Sequence, residues 1–241
     1  MIYYAKTHKG NVRKLNEDAV YIPENNDGFF AVLADGMGGH SAGDVASSLI
    51  VSSIVSYFCD VDPSSMTAKL VKDALSHANT LVFNESRANS NRKGMGSTAT
   101  IAVFVSGRAY IGQVGDSRAY LYRQGTLSQI TTDHSYVQML LDKGLISREE
   151  AANHPQKNII TRAVGTDKDV EADVFTIELL KGDVILLCSD GLSNAVCDDE
   201  MAGILSHNLQ AAAERLIQAA LDNGGTDNVS AVIAVYTGGA L

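Results

Sequence analysis

The sequence predicts an α+β protein built in layers, and three observations carry that expectation. Strand-sized apolar runs bounded by Gly, Asn or Asp recur through the 241 residues, with tight-turn dipeptides between neighbouring runs. Stretches with an apolar residue every three to four positions gather early and late in the chain and do not alternate with the strands one for one. No Gly/Ser/Pro-rich linker or internal repeat divides the chain, and 45% hydrophobic content at this length suffices for a large core, so one domain over residues 1–241 is expected.

The strands expected from the apolar runs are residues 29–34, 98–105, 109–114, 119–123, 184–188 and 229–236. Ser106-Gly107 and Gln124-Gly125 lie at hairpin positions, so at least part of the sheet is expected to be antiparallel. A helix over 44–57 places Val45, Leu49 and Val55 on one stripe, and a second over 66–82 does so with Met66, Leu70, Ala74 and Leu81. A third, 208–221, carries Leu209, Ala212, Leu216 and Ala220 up to the break at Asn223-Gly224-Gly225.

A net charge of −9, from 28 acidic and 19 basic residues, argues against a protein that lives on nucleic-acid phosphates or an anionic membrane surface. The first ten residues hold no apolar signal core, and the longest apolar runs are strand-sized. The expectation is a cytoplasmic protein with neither a nucleic-acid nor a membrane partner. Cys59, Cys188 and Cys197, odd in number and without a close pair, suit a reducing compartment and are expected as core or near-core thiols.

Three apolar runs each lead to an aspartate at the C-terminal edge: 29–34 to Asp35-Gly36, 110–115 to Asp116-Ser117, and 183–189 to Asp190-Gly191. Asp227 stands just before the last strand. A single Asp-Gly after a strand is most simply a turn, but three strand-end aspartates plus Asp227 favour gathered carboxylates. Such a cluster repels itself unless cations join it, and hard oxygen donors suit Mg²⁺ or Mn²⁺. The Gly36 carbonyl would add one more oxygen. Paired cations generate a hydroxide at neutral pH and clamp phosphate oxygens. Phosphate monoesters, for which enzymatic acceleration reaches about 10²¹-fold, need that help. Arg13, four residues before Glu17 and five before Asp18, is the candidate to grip the phosphate, because its planar fork matches two oxygens at once. Alone it would read as an ordinary surface ion pair.

Seven motifs in order then resemble those of bacterial 2C-type metal-dependent phosphatases. They are the segments 13–18 (Arg13 to Asp18), 35–40 (Asp35 to His40), 96–99 (Gly96 to Ala99), 114–118 (Val114 to Arg118), 132–135 (Thr132 to Ser135), 189–192 (Ser189 to Leu192) and 226–230 (Thr226 to Ser230). The resemblance implies a four-layer αββα sandwich of two antiparallel sheets flanked by helices. It also implies a Ser/Thr protein phosphatase using two Mn²⁺ or Mg²⁺ ions and a third in bacterial members. By that carry-over Asp35 bridges the pair, Asp190 and Asp227 complete the first ion, and the Gly36 carbonyl reaches the second. Glu17 and Asp18 act near the second ion through waters, Asp116 with Asp190 holds the third, and Arg13 grips the substrate.

Many eukaryotic members have a histidine directly after the Asp-Gly; here it is Met37, whose thioether cannot donate a proton. His40 is read as a structural hydrogen-bonder, and the leaving group's proton is assigned to water on the metal. Ser135 closes a segment that reads equally well as a helix cap. Residues 141–165 resemble the family's flap beside the active site, where Arg148, Lys157 and Arg162 are candidates to steer phosphopeptides. The implied partners are phosphorylated proteins, in particular a Ser/Thr kinase and its substrates, met by a monomeric, bare catalytic domain. The alternative is a catalytically inactive adaptor that binds phosphoproteins, disfavoured by the complete set of Asp35, Asp190 and Asp227.

Overall fold

The computed structural model describes residues 1–24, 28–37 and 42–239. In chain order these residues form β1 (Ile2–His8), β2 (Asp18–Tyr21), β3 (Phe30–Met37), α1 (Gly43–Phe58), α2 (Ala68–Ala88), β4 (Gly96–Ser97), β5 (Ala99–Val105), β6 (Arg108–Val114), β7 (Arg118–Arg123) and β8 (Thr126–Gln129). The chain continues through α3 (Tyr136–Asp142), α4 (Arg148–Ala152), β9 (Asp173–Glu178), β10 (Val184–Cys188), α5 (Asp190–Ser193), α6 (Asp198–Leu205), α7 (Ala212–Asp222) and β11 (Val229–Val235).

The apolar runs are continuous because their strands are covered on both faces. In β3, Phe30, Val32 and Ala34 pack under α1 and α2, while Ala31 and Leu33 point into a separate core. In β10, Val184, Leu186 and Cys188 face α6 and α7, while Ile185 and Leu187 enter the same central core. That central core, with Ala102, Phe104, Ile111, Val232 and Ala234, lies between two sheets, so the four layers run helix, sheet, sheet, helix. One sheet has the order β1-β11-β10-β7-β8 and the other β2-β3-β5-β6-β9, with β4 on β3; all pairings are antiparallel. This is the expected αββα sandwich.

Both dipeptide turns close hairpins as read from the sequence. Ser106 and Gly107 have φ of 47° and 74°, and Gln124 and Gly125 have 51° and 85°, the left-handed pairs that match strand twist in two-residue hairpins. Ser135 caps α3 by accepting a bond from the Gln138 amide, as the cap reading anticipated. The expected helix over 208–221 begins instead as a 3₁₀ turn at Leu209–Ala211 and becomes α-helical at Ala212. Two expectations are corrected. Cys188 is buried, but Cys59 and Cys197 are exposed and are not core thiols. Asp35 does not end its strand: β3 continues through Gly36 to Met37, held by pairing to Ser97 and Gly96 of β4. His40 lies outside the described residues. Among the described residues no helix is long and apolar enough to cross a membrane.

Candidate metal centre

The chain passes from one sheet to the other through residues 9–17 and again through 115–117. Both crossovers lie at the end of the sandwich where β10 finishes and β11 begins. Topology thus brings Arg13, Glu17, Asp35, Gly36, Asp116, Asp190 and Asp227 to the wall of one cavity of about 300 Å³. Asp18, cross-strand partner of Asp35, stands beside it, buried. All eight residues singled out from the sequence therefore meet.

The Asp18 carboxylate and the backbones of Asp35 and Glu17 are held by neighbours that the sequence reading left without a role. The Asp35 backbone is gripped from both sides: its N–H donates to Thr98 Oγ1 at 3.0 Å, and Ser97 Oγ donates to its carbonyl at 2.8 Å. Asp18 Oδ2 accepts from Ser189 Oγ at 2.9 Å and Ser230 Oγ at 2.6 Å. Asn228 Oδ1 accepts the Glu17 amide at 2.8 Å, and its Nδ2 donates to the carbonyls of Lys9 and Leu15, fastening the Arg13 loop to the start of β11. The signal in the sequence is the hydroxyl of Ser189 beside Asp190 and the amide of Asn228 beside Asp227, but only the fold says which acid each serves.

The glycines after Asp35 and Asp190 do not make turns. Gly36 lies in a strand and Gly191 in α5, and what they permit is backbone contact. A Cβ on Gly36 would sit 2.1 Å from the Gly43 carbonyl oxygen, and one on Gly191 would sit 2.0 Å from that of Asn228. The Asp-Gly pairs therefore let the carboxylates sit where two backbones touch.

Arg13 Nη2 donates to Asp227 Oδ2 at 2.8 Å at the cavity mouth. Among the described residues no Lys or Arg forms an ion pair with Asp18, Asp35, Asp116 or Asp190. Burial, reinforced by the neighbouring charges, accordingly raises their proton affinity. Burial and then the charge of Asp190 push Asp18 up to about 6, the two serine bonds notwithstanding. Burial and the Asp227 charge bring Asp190 to about 6, and burial with the Asp190 and Asp133 charges brings Asp116 to about 7. Asp35, crowded by Asp18, Asp190, Asp116 and Asp227 on top of its desolvation, rises well above the ordinary range. Glu17 is also raised, by burial, although Arg13 opposes the shift.

The donor set fits hard divalent cations. The donors are carboxylate and backbone oxygens, Asp18 Oδ1 is buried without a hydrogen-bond partner, and a positive charge would relieve repulsion that Arg13, Arg118 and the two serines offset only in part. Among the described residues no three acidic side chains close around one point, and Asp227 is turned to Arg13. Open spheres completed by water are normal for Mg²⁺-like ions.

A larger groove of about 740 Å³ shares Asp116 and Asp190 with the cavity and runs between α3 and α4 on one side and Ser193, Asn194 and Asp198 on the other. Arg148 and Lys157 line it. Arg162 is instead turned to Asp173 at 3.3 Å and Glu171 at 3.5 Å.

With this geometry in view, comparisons place the chain among known proteins. The profile of the family described as Protein phosphatase 2C matches residues 7–229. The serine/threonine protein phosphatase PstP of Mycobacterium tuberculosis is 41% identical over 233 residues, covering 96% of this chain and 44% of that protein, so the chain spans less than half of its length. The serine/threonine phosphatase stp of Listeria monocytogenes is 39% identical over 237 residues, covering 95% of this chain and 93% of that protein. A solved structure of the catalytic domain of serine threonine protein phosphatase PstP in complex with two manganese ions matches with a TM-score of 0.88 at 38% identity, covering 97% of each chain.

Proposed function

This chain belongs to the protein phosphatase 2C family, and on that footing we propose that it hydrolyses phosphoserine and phosphothreonine in proteins, using Mn²⁺ or Mg²⁺ held at the acidic end of the sandwich. The observation that carries the proposal is the gathering of Asp35, Asp18, Asp190 and Asp116 at one site, where desolvation first and neighbouring carboxylate charges second raise the proton affinity of all four, and where Asp18 Oδ1 is buried without a hydrogen-bond partner. Such a cluster costs stability unless it binds cations.

Asp35, Asp190 and Asp227 would hold one ion, and Asp35 with the Gly36 carbonyl would hold a second. Glu17 and Asp18 would act through water near the second, and Asp116 with Asp190 would hold a third. Bound there, paired divalent ions supply a hydroxide nucleophile at neutral pH and neutralise charge on the phosphate in the transition state. Arg13 orients the monoester from the mouth by donating to its non-bridging oxygens, exchanging its present contact with Asp227 for the phosphate. Because Met37 lines the cavity and cannot donate a proton, the leaving serine or threonine oxygen takes its proton from water. The polypeptide on either side of the phosphoresidue would lie in the adjoining groove, where Arg148 and Lys157 meet its acidic groups. The biological setting we propose is cytoplasmic: a single, monomeric catalytic domain over residues 1–241, with the flap at 141–165, reverses a bacterial Ser/Thr kinase.

Hydrolysis of p-nitrophenyl phosphate and a phosphothreonine peptide, with EDTA, Mg²⁺ or Mn²⁺, tests this against Asp35→Asn. Activity restored by metal in the parent and absent from the variant is the expected result. Folded parent protein that is inactive with every metal would replace the phosphatase by a phosphoprotein-binding adaptor.

A further inference from the structure

His134 belongs to none of the roles above, yet it is 6% exposed and joins three parts of the site. Its Nδ1 accepts the Gly115 N–H at 3.1 Å, and its own backbone N–H donates to the Gly115 carbonyl at 2.9 Å. Gly115 immediately precedes Asp116. The other side of that loop is held by Gln113, whose Nε2 donates to the carbonyls of Gly115 and Ser117 at 2.9 and 2.6 Å, straddling the aspartate.

Since Nδ1 accepts, the ring proton is on Nε2, which lies 3.0 Å from Asp173 Oδ2 and donates to it. Arg162 Nη1 is 3.2 Å from the same ring nitrogen, but that nitrogen is already a donor, so the guanidinium bonds the carboxylate at Asp173 Oδ1. The His134 carbonyl accepts the Thr161 N–H at 2.8 Å, and Ser135 bridges Ile160, a residue that lines the cavity. One imidazole thus bonds the loop of Asp116 with one nitrogen and, through Asp173, the Arg162 end of the flap with the other.

We propose that His134 is a positioning residue, a neutral Nε2–H imidazole that sets the Asp116 carboxylate through Gly115 and anchors the base of the flap through Asp173. The inference rests on the reading of Asp116 as a metal ligand.

Two substitutions cut the two bonds separately. The amide of asparagine falls near the place of Nδ1, so His134→Asn keeps an acceptor for Gly115 and drops Asp173. The amide of glutamine reaches the place of Nε2, so His134→Gln keeps a donor for Asp173 and drops Gly115. Mn²⁺ binding followed by calorimetry, with Asp116→Asn as reference, should lose about tenfold in the weakest class of site for His134→Gln and stay within about threefold for His134→Asn, the lower range for residues that orient ligands. Amide exchange at Ile160, Thr161 and Arg162 in EDTA should quicken for His134→Asn and match the parent for His134→Gln.

If Asp116→Asn weakens Mn²⁺ binding and folded His134→Gln does not, the positioning role is overturned and the metal reading survives. If Asp116→Asn itself binds Mn²⁺ as the parent does, the metal reading of that residue falls and takes this inference with it. Should a variant fail to fold, long-range ¹H–¹⁵N spectra of the parent decide: a proton on Nδ1 of His134 overturns the proposal, and one on Nε2 supports it.

Discussion

Replacing Asp18 by asparagine should stabilise the metal-free protein. Asp18 Oδ2 accepts two serine hydroxyls, and the amide oxygen of Asn can accept both. The NH₂ then falls where Oδ1 is now buried without a partner, beside the Asp35 carboxylate, to which it can donate. Burial raises Asp18 from 3.8 to about 6, which at about 1.4 kcal/mol per pH unit amounts to about 3 kcal/mol against the ionised form. The native state keeps this proton to higher pH than the unfolded chain does. The associated stability is therefore complete below about pH 4 and lost as pH rises through about 6. The amide cannot ionise, so the variant escapes the loss. Urea denaturation in EDTA should show Asp18→Asn more stable by about 1–3 kcal/mol at about pH 7.5, and indistinguishable from the parent or slightly weaker at about pH 4. A variant less stable than the parent at the higher pH, or a gain of equal size at both, would refute the reasoning. Mn²⁺ should also raise the parent's midpoint more than the variant's, because only the parent brings the full cluster charge to the ion.

Arg13→Lys should raise KM for a phosphopeptide by roughly tenfold with a smaller change in kcat, since a point charge replaces a fork; steady-state kinetics with Mn²⁺ read this directly. Asn228→Ala leaves the Glu17 amide and the Lys9 and Leu15 carbonyls without their partner; Lys9 and Leu15 are exposed residues, so only the half-buried Glu17 amide counts as a stranded group, and a loss of about 1–3 kcal/mol in urea denaturation is expected. Gly203 lies in α6 with nothing within 4 Å of the place a Cβ would take, so Gly203→Ala should add about 0.5–1 kcal/mol. Gly191→Ala, whose methyl would meet the Asn228 carbonyl at 2.0 Å, should fail to give stable protein or lose metal binding; expression and thermal melting of the two alanine variants side by side test the contrast.

The strands legible in the sequence are those covered on both faces. β3, β5, β10 and β11 read as nearly unbroken apolar runs because one set of side chains meets helices and the alternate set meets the opposite sheet, and β6 and β7 show shorter runs, 109–111 and 119–122. β1, β2 and β9 escape such a reading because they are sheet edges with mostly half-exposed side chains, which leaves no pattern strong enough to stand out from loop. Periodicity gives no information on which of two sheets a strand joins, so the sandwich itself comes from the motif resemblance. The site divides in the same way. Asp35, Asp116, Asp190 and Asp227 are visible as aspartates beside apolar runs, but Ser189, Ser230 and Asn228 act on Asp18 and Glu17 across more than 170 residues of chain. The glycines are visible and their purpose is not, because contact between two backbones leaves no trace in local sequence.

The serine bonds to Asp18 also fix the stacking of the layers. Asp18 lies on β2 of one sheet, whereas Ser189 and Ser230 follow β10 and lie on β11 of the other, and Ser230 Oγ continues to Thr7 of β1 at 2.7 Å. Two apolar faces hold their registry only through the fit of interdigitated side chains, whose contacts are individually weak and without direction. Directional bonds from a buried carboxylate cannot be remade elsewhere on the facing sheet. Shear between the sheets is therefore blocked at this end, and their registry is set within hydrogen-bond tolerance at the place where acids from both must meet.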